Sequence, residues 1–102
     1  MKHFLITGIV SLLCFTASAQ MLLDTVWYDR NWKQSPRDSA FYYRLVYADT
    51  SGNIRFIVRD YYPGGSLQME GFYRSIHPDV KDGKFVYYYP DGRKKLECTF
   101  KL

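Results

Sequence analysis

The sequence predicts an all-β protein: an antiparallel meander of five or six strands, built from repeated β-hairpins and preceded by a cleaved signal peptide. Three observations predict it. From Phe41 onward, short runs of alternating apolar residues are separated by Pro, Gly and Asp turn signals, the pattern of antiparallel strands. Residues 61–73 can be laid on residues 88–100 at an offset of 27, and self-similarity at a fixed period marks a repeat architecture. Downstream of residue 19, no window of about 11–18 residues carries a helical period.

The leader comes first. Lys2 and His3 precede an apolar run from Phe4 to Phe15, and Ala17-Ser18-Ala19 follows. Basic start, apolar stretch and small-residue site are the order of a secretory signal peptide. The run is shorter than the ~20 residues a membrane-spanning helix needs. Cleavage after Ala19 leaves no stable transmembrane span and removes Cys14, whose bulky neighbour Leu13 disfavours a lipid-modified cysteine. The expected location is outside the cytoplasm, in the periplasm or outer envelope of a bacterium. Cys98 is then alone, so no intrachain disulfide can form.

Residues 20–40 read as an irregular N-terminal segment with a first strand at Asp24–Tyr28 and a loop over Asn31–Ser39. Residues 41–102 read as the hairpin domain. In Phe41–Ala48, Phe41, Tyr43, Leu45 and Tyr47 share one face at period two. Asp49-Thr50-Ser51-Gly52 is a turn, and Asn53–Tyr62 a strand with Ile54, Phe56 and Val58 on one side. Pro63-Gly64-Gly65 is turn chemistry, because Pro presets φ and Gly accepts a positive φ. Leu67–Tyr73 is the next strand, with Leu67, Met69 and Tyr73 together. A polar connection from His77 is closed by Asp82-Gly83, a two-residue hairpin signal. Lys84–Tyr89 is a strand, Pro90-Asp91-Gly92 a turn, and Lys94–Lys101 the last strand. There Leu96, Cys98 and Phe100 alternate with polar residues, which puts Cys98 on the apolar face as a small packed side chain.

In the two aligned copies both tyrosines, the proline, the second glycine and Glu70/Glu97 are identical, Met69 meets Leu96, and Tyr73 meets Phe100. Tyr-Tyr-Pro-(Gly/Asp)-Gly followed by Met or Leu, Glu and an aromatic resembles the bacterial variant of the MORN repeat. Asp82-Gly83-Lys84-Phe85-Val86-Tyr87-Tyr88-Tyr89 resembles the other half of that unit. Asp24-Thr25-Val26-Trp27-Tyr28-Asp29, Trp32-Lys33 and Ala40-Phe41-Tyr42-Tyr43-Arg44 look like the exported N-terminal region that precedes such repeats in some TonB-type energy-transducer proteins. The TonB domain itself has no counterpart in these residues. The resemblance implies a sheet of stacked hairpins, and an immunity or antitoxin-like role is the alternative it suggests.

Composition bounds the function. The formal net charge is +4, and the basic residues are scattered apart from Arg93-Lys94-Lys95. A nucleic-acid partner calls for a denser basic face, so none is expected. All 10 tyrosines and both tryptophans lie downstream of the leader. Tyr42-Tyr43, Tyr61-Tyr62 and Tyr87-Tyr88-Tyr89 form clusters, and neighbours on a strand point to opposite faces. One member of each can pack inward while another builds an aromatic surface, since tyrosine joins apolar area to a hydroxyl. The candidate binding residues are therefore Tyr43, Tyr61, Tyr62, Tyr87, Tyr88 and Tyr89. Catalytic residues, metal and cofactor are not expected. His77 with Asp79 and Asp82 would be the set for a small hydrolase, but one His in a polar loop is a weak signal. Glu70 and Glu97 recur once per hairpin, which suits a cross-strand pair with Lys or Arg. No phosphate loop, Gly-x-Ser-x-Gly or Cys-x-x-Cys is present. The expected function is non-enzymatic binding of a protein or cell-envelope component. An unpaired last strand can also join a second copy edge to edge.

Overall fold

The computed structural model describes residues 20–50 and 55–101. The expected leader, the Ser51-Gly52 turn and Ile54 lie outside the described residues. Six strands form one sheet: β1 Gln20–Tyr28, β2 Tyr42–Asp49, β3 Arg55–Tyr61, β4 Leu67–Ser75, β5 Val80–Tyr88 and β6 Lys94–Phe100. Their order in the sheet is their order in the chain, and every neighbouring pair is antiparallel. The all-β meander is as the alternation and turn signals predict. The one helical element among the described residues is a 3-10 turn at Arg37–Ser39. No helix there is long and apolar enough to cross a membrane.

The register explains the core. Asp24, Val46, Val58, Gly71, Phe85 and Cys98 stand opposite one another across all six strands. Directly opposed residues share a face, so this row and the next (Val26, Arg44, Asp60, Met69, Tyr87 and Leu96) define an inner face. Val46, Val58, Met69, Tyr73 and Phe85 are its buried cluster, with Phe56, Ile76, Tyr87 and Cys98 packed against it. Val58 and Phe85 have no exposed surface; side chains of this kind contribute about 1.5–3 kcal/mol each on burial. The Phe85 ring lies across β4 where Gly71 offers no side chain. A Cβ there would fall 2.3 Å from two of its ring carbons.

Glu70 and Glu97 point to the outer face and are ion-paired, Glu70 with Arg59 at 2.6 Å and Glu97 with Lys84 and Lys94 at 2.9 Å each. Cys98 is half-buried beside the core.

Three local expectations need correction. The first strand, expected at Asp24–Tyr28, begins at Gln20 and pairs with β2 on both sides of an irregularity at Leu23. Asp82-Gly83 is not a hairpin turn: the chain has already reversed at residues 76–79, and the pair lies inside β5. There the register slips by two residues between Tyr73↔Lys81 and Gly71↔Phe85, and Gly83 takes φ +126°. The Asp-Gly signal is real, but it makes an irregularity within a strand. Leu67 stands opposite Tyr61 while Met69 stands opposite Asp60, because Gln68 is an extra residue at that point. Leu67 therefore does not share Met69's face.

Candidate functional site

The inner face carries a groove. Its floor is Val26 of β1, Val46 of β2 and Phe56 of β3. Its walls are the turn residues Trp32–Gln34 on one side and Arg74–His77 with Asp79 on the other, enclosing about 860 Å³. A second, more polar cavity of about 350 Å³ lies toward β4 and β5, reaching Gln68, Met69, Lys81 and Tyr87. The two share Tyr28, Trp32, Arg44 and Asp79. Alternation places these groups inward. Tyr28 follows Val26 by two residues and Arg44 precedes Val46 by two, so both sit on the face of the core.

Arg44 and Asp60 sit at the junction. Arg44 donates from Nε to Oδ1 at 2.6 Å and from Nη2 to Oδ2 at 2.9 Å, a two-pronged pair. The side chains are 16% and 4% exposed. Burial works against the guanidinium's charge, and the Asp60 carboxylate more than offsets it, so Arg44 holds its proton above the usual arginine range. Its guanidinium also lies 5.5 Å from the Tyr28 ring and 5.9 Å from the Tyr73 ring. Burial pushes the Tyr73 hydroxyl up to about 12 and raises that of Tyr28. The junction of the two cavities thus holds a neutralised ion pair and two protonated phenols.

Trp32 is presented by a turn that repeats twice more in the chain. The Asp29 N–H donates to the Lys33 carbonyl at 2.8 Å, and the Trp32 N–H donates to the Asp29 carbonyl at 3.1 Å. The same two bonds close Tyr62–Ser66 (2.9 and 3.0 Å) and Tyr89–Arg93 (2.8 and 2.9 Å). The equivalent residues are Trp32, Gly65 and Gly92, all at positive φ: +61°, +102° and +93°. Glycine takes that conformation freely. A bulky residue there is an outlier, at a cost of about 1–3 kcal/mol. Asp29 helps hold the turn, its Oδ1 accepting from the Asn31 and Lys33 N–H groups at 2.8 and 3.0 Å. One face of the indole stacks on Tyr42, with centroids 4.2 Å apart and planes 7° apart, and Tyr28 is tilted against it at 5.3 Å. Trp32 remains 36% exposed and lines both cavities.

The six tyrosines singled out from the sequence do not form one surface. Tyr43 and Tyr61 come together on the outer face, stacked at 4.8 Å with Trp27 beside Tyr43 at 5.7 Å. Tyr88 stands opposite Lys94 on β6. Tyr62 donates its hydroxyl to the Tyr88 carbonyl at 2.6 Å and so ties one repeated turn to the strand leading into the next. Tyr89 is exposed at its turn, beneath Arg93 and Lys95. Tyr87 alone of the six lines a cavity of the inner face. His77 and Asp79 lie at the groove wall, whereas Asp82 is directed to Arg74 at 3.8 Å. Among the described residues, no three His, Cys, Asp or Glu side chains gather in a metal-binding group.

Sequence reasoning missed Trp32, Arg44 and Asp60. For the pair the usable signal is parity: both are charged residues at positions where their strands otherwise point apolar groups inward. For Trp32 it is Tyr28-Asp29-Arg30-Asn31-Trp32-Lys33 read against Tyr61–Ser66 and Tyr88–Arg93. No family model matches the chain, and no curated protein or solved structure matches it.

Proposed function

We propose that this chain is an exported, non-enzymatic β-repeat module that binds a protein or cell-envelope component through the inner face of its sheet. The observation that carries this reading is the groove of about 860 Å³ between the Trp32 turn and the 74–79 connection. Its size falls in the range of ligand sites, and its make-up is mainly apolar with a few convergent polar groups. The signal-peptide pattern and the resemblance to MORN-variant repeats support an envelope setting. The closed Arg44–Asp60 pair suits a wall that orients a ligand rather than a group that moves protons.

The test is a backbone-amide NMR map of the labelled protein as solubilised bacterial envelope fractions are added. The expected result is a set of shifts concentrated at Val26, Tyr28, Trp32, Val46 and Ile76. Shifts confined to outer-face residues such as Tyr43 and Tyr61, or no shifts with any fraction, would overturn the reading.

A further inference from the structure

We infer that the polar cavity beside Trp32 is a subsite for an uncharged saccharide, with the indole as its stacking platform. This rests on the inner face being the binding face and names the ligand class. Three observations converge on it.

The first is the indole itself. One side is covered by Tyr42, and the exposed remainder lines both cavities. A sugar ring offers a flat patch of C–H groups that matches such an apolar surface. Two related turns of the same chain use glycine at this position, so an aromatic is held here against the backbone's own preference. Strain of this kind concentrates at ligand-contacting positions.

The second is charge balance. The bonded pair Arg44 and Asp60 lines the cavity together with Lys81, Asp79 and Gln68. Two positive and two negative groups sum to zero, so the lining has no net charge to favour an anion or a cation. They do offer planar donors and acceptors in both senses. Arg44 uses two of its five N–H donors on Asp60, and each carboxylate oxygen can accept more than one bond. A hydroxyl is at once donor and acceptor, so a polyhydroxylated neutral ring satisfies both kinds of group.

The third is size. About 350 Å³ lies within the range of small-ligand sites. The cavity adjoins the larger groove, with Tyr28, Trp32, Arg44 and Asp79 lining both, so further sugar units have a neighbouring surface to occupy. The structure therefore favours an oligosaccharide with one residue seated against Trp32.

The experiment uses the Trp27→Phe protein, in which Trp32 is the sole tryptophan reporter, titrated with maltotriose, cellotriose and triacetylchitotriose. At least one is expected to change the emission saturably, with a Kd of about 1 mM or tighter. Asp79→Ala, an exposed change, is expected to weaken that binding about tenfold without moving the thermal midpoint. Trp32→Gly is expected to abolish it, read by NMR, while the midpoint holds within about 4 °C because relieved backbone strain offsets the lost stack. The saccharide inference is overturned if none of the three sugars perturbs Trp32, or if inorganic phosphate or lysine does so instead. It is also overturned if Trp32→Gly still binds, or if its midpoint falls as far as for loss of a core side chain. Groove shifts with envelope fractions but no response to sugars would sink the saccharide assignment and leave the inner-face reading standing.

Discussion

Replacing Gly71 by alanine probes the tightest contact in the sheet. The new Cβ would lie 2.3 Å from Cδ2 and Cε2 of Phe85 and 2.6 Å from Cζ. The ring is fully buried and wedged among Val58, Tyr73 and Cys98, so it has no free direction in which to swing. Overpacking of this kind costs about 1–3 kcal/mol. The ordinary advantage of Ala over Gly in a strand returns about 0.5–1 kcal/mol. A net loss of about 1–2 kcal/mol is expected, which at ~4–8 °C per kcal/mol for a small domain lowers the midpoint by roughly 5–15 °C. Urea unfolding followed by far-UV circular dichroism measures it. The decisive form is a double-mutant cycle with Phe85→Leu, which removes the ring that the methyl strikes. In the Phe85→Leu background, Gly71→Ala should cost nearly nothing, giving a coupling of about 1–2 kcal/mol. An equal cost in both backgrounds would refute the argument that Gly71 exists to seat Phe85. The same contact accounts for a difference between the repeat copies. Phe85 stands opposite both Gly71 and Cys98, and the ring leans over β4, so one copy needs glycine where the other carries a side chain.

Asp60→Ala leaves the Arg44 charge buried without its partner and should cost about 3–5 kcal/mol, whereas Arg44→Met with Asp60→Leu should recover most of the loss; chemical denaturation of both proteins checks this, and equal losses would show that the charges themselves are needed. Alkaline pH should destabilise the fold through Tyr73. Its folded pKa of about 12 exceeds the ordinary tyrosine value near 10, so its contribution is fully present below pH ~10 and is lost as pH rises toward 12. Tyr73→Phe should flatten that fall in a midpoint-versus-pH series, and an unchanged series would contradict it. The hydrogen bonds from Lys94 and Lys84 hold the Glu97 carboxyl down at about 2, so NMR titration should find it ionised well below the ordinary carboxylate range. Its contribution is present above that ordinary range and fades as pH falls through 2. Because the cluster is exposed and screened, Glu97→Gln should lower the midpoint only slightly at physiological salt.

Much of this fold is legible along the chain, for identifiable reasons. β3, β4 and β6 combine period-two alternation with turns whose chemistry is unambiguous, Pro63-Gly64-Gly65 and Pro90-Asp91-Gly92. The N-terminal half of β1 is not legible, because Leu22 and Leu23 are adjacent and the register against β2 shifts between Leu22 and Asp24. Asp82-Gly83 misleads, since the same two residues serve a hairpin or a kink in a strand, and only the position of the preceding reversal decides which. The site is less legible than the fold. Arg44 and Asp60 are 16 residues apart, and nothing local to either marks the other; strand register joins them. Trp32 hides because the residue that gives its turn away in the other two copies is the glycine it replaces. The tyrosine clusters were visible, but alternation divides them between faces, and that division cannot be read without knowing which face closes.

A meander couples its strands like links in a chain: each strand is held by the strands before and after it. In such an array the ends can fray independently, and a disturbance at one end has no direct route to the other. The groove is an exception, because its two walls come from the connection after β1 and the connection after β4. A molecule lodged there bridges the first hairpin to the middle of the array and closes a long loop that the backbone leaves open. Its arrival should therefore register less as a local change than as a gain in cooperativity, with segments that exchange their amide hydrogens separately beginning to open together.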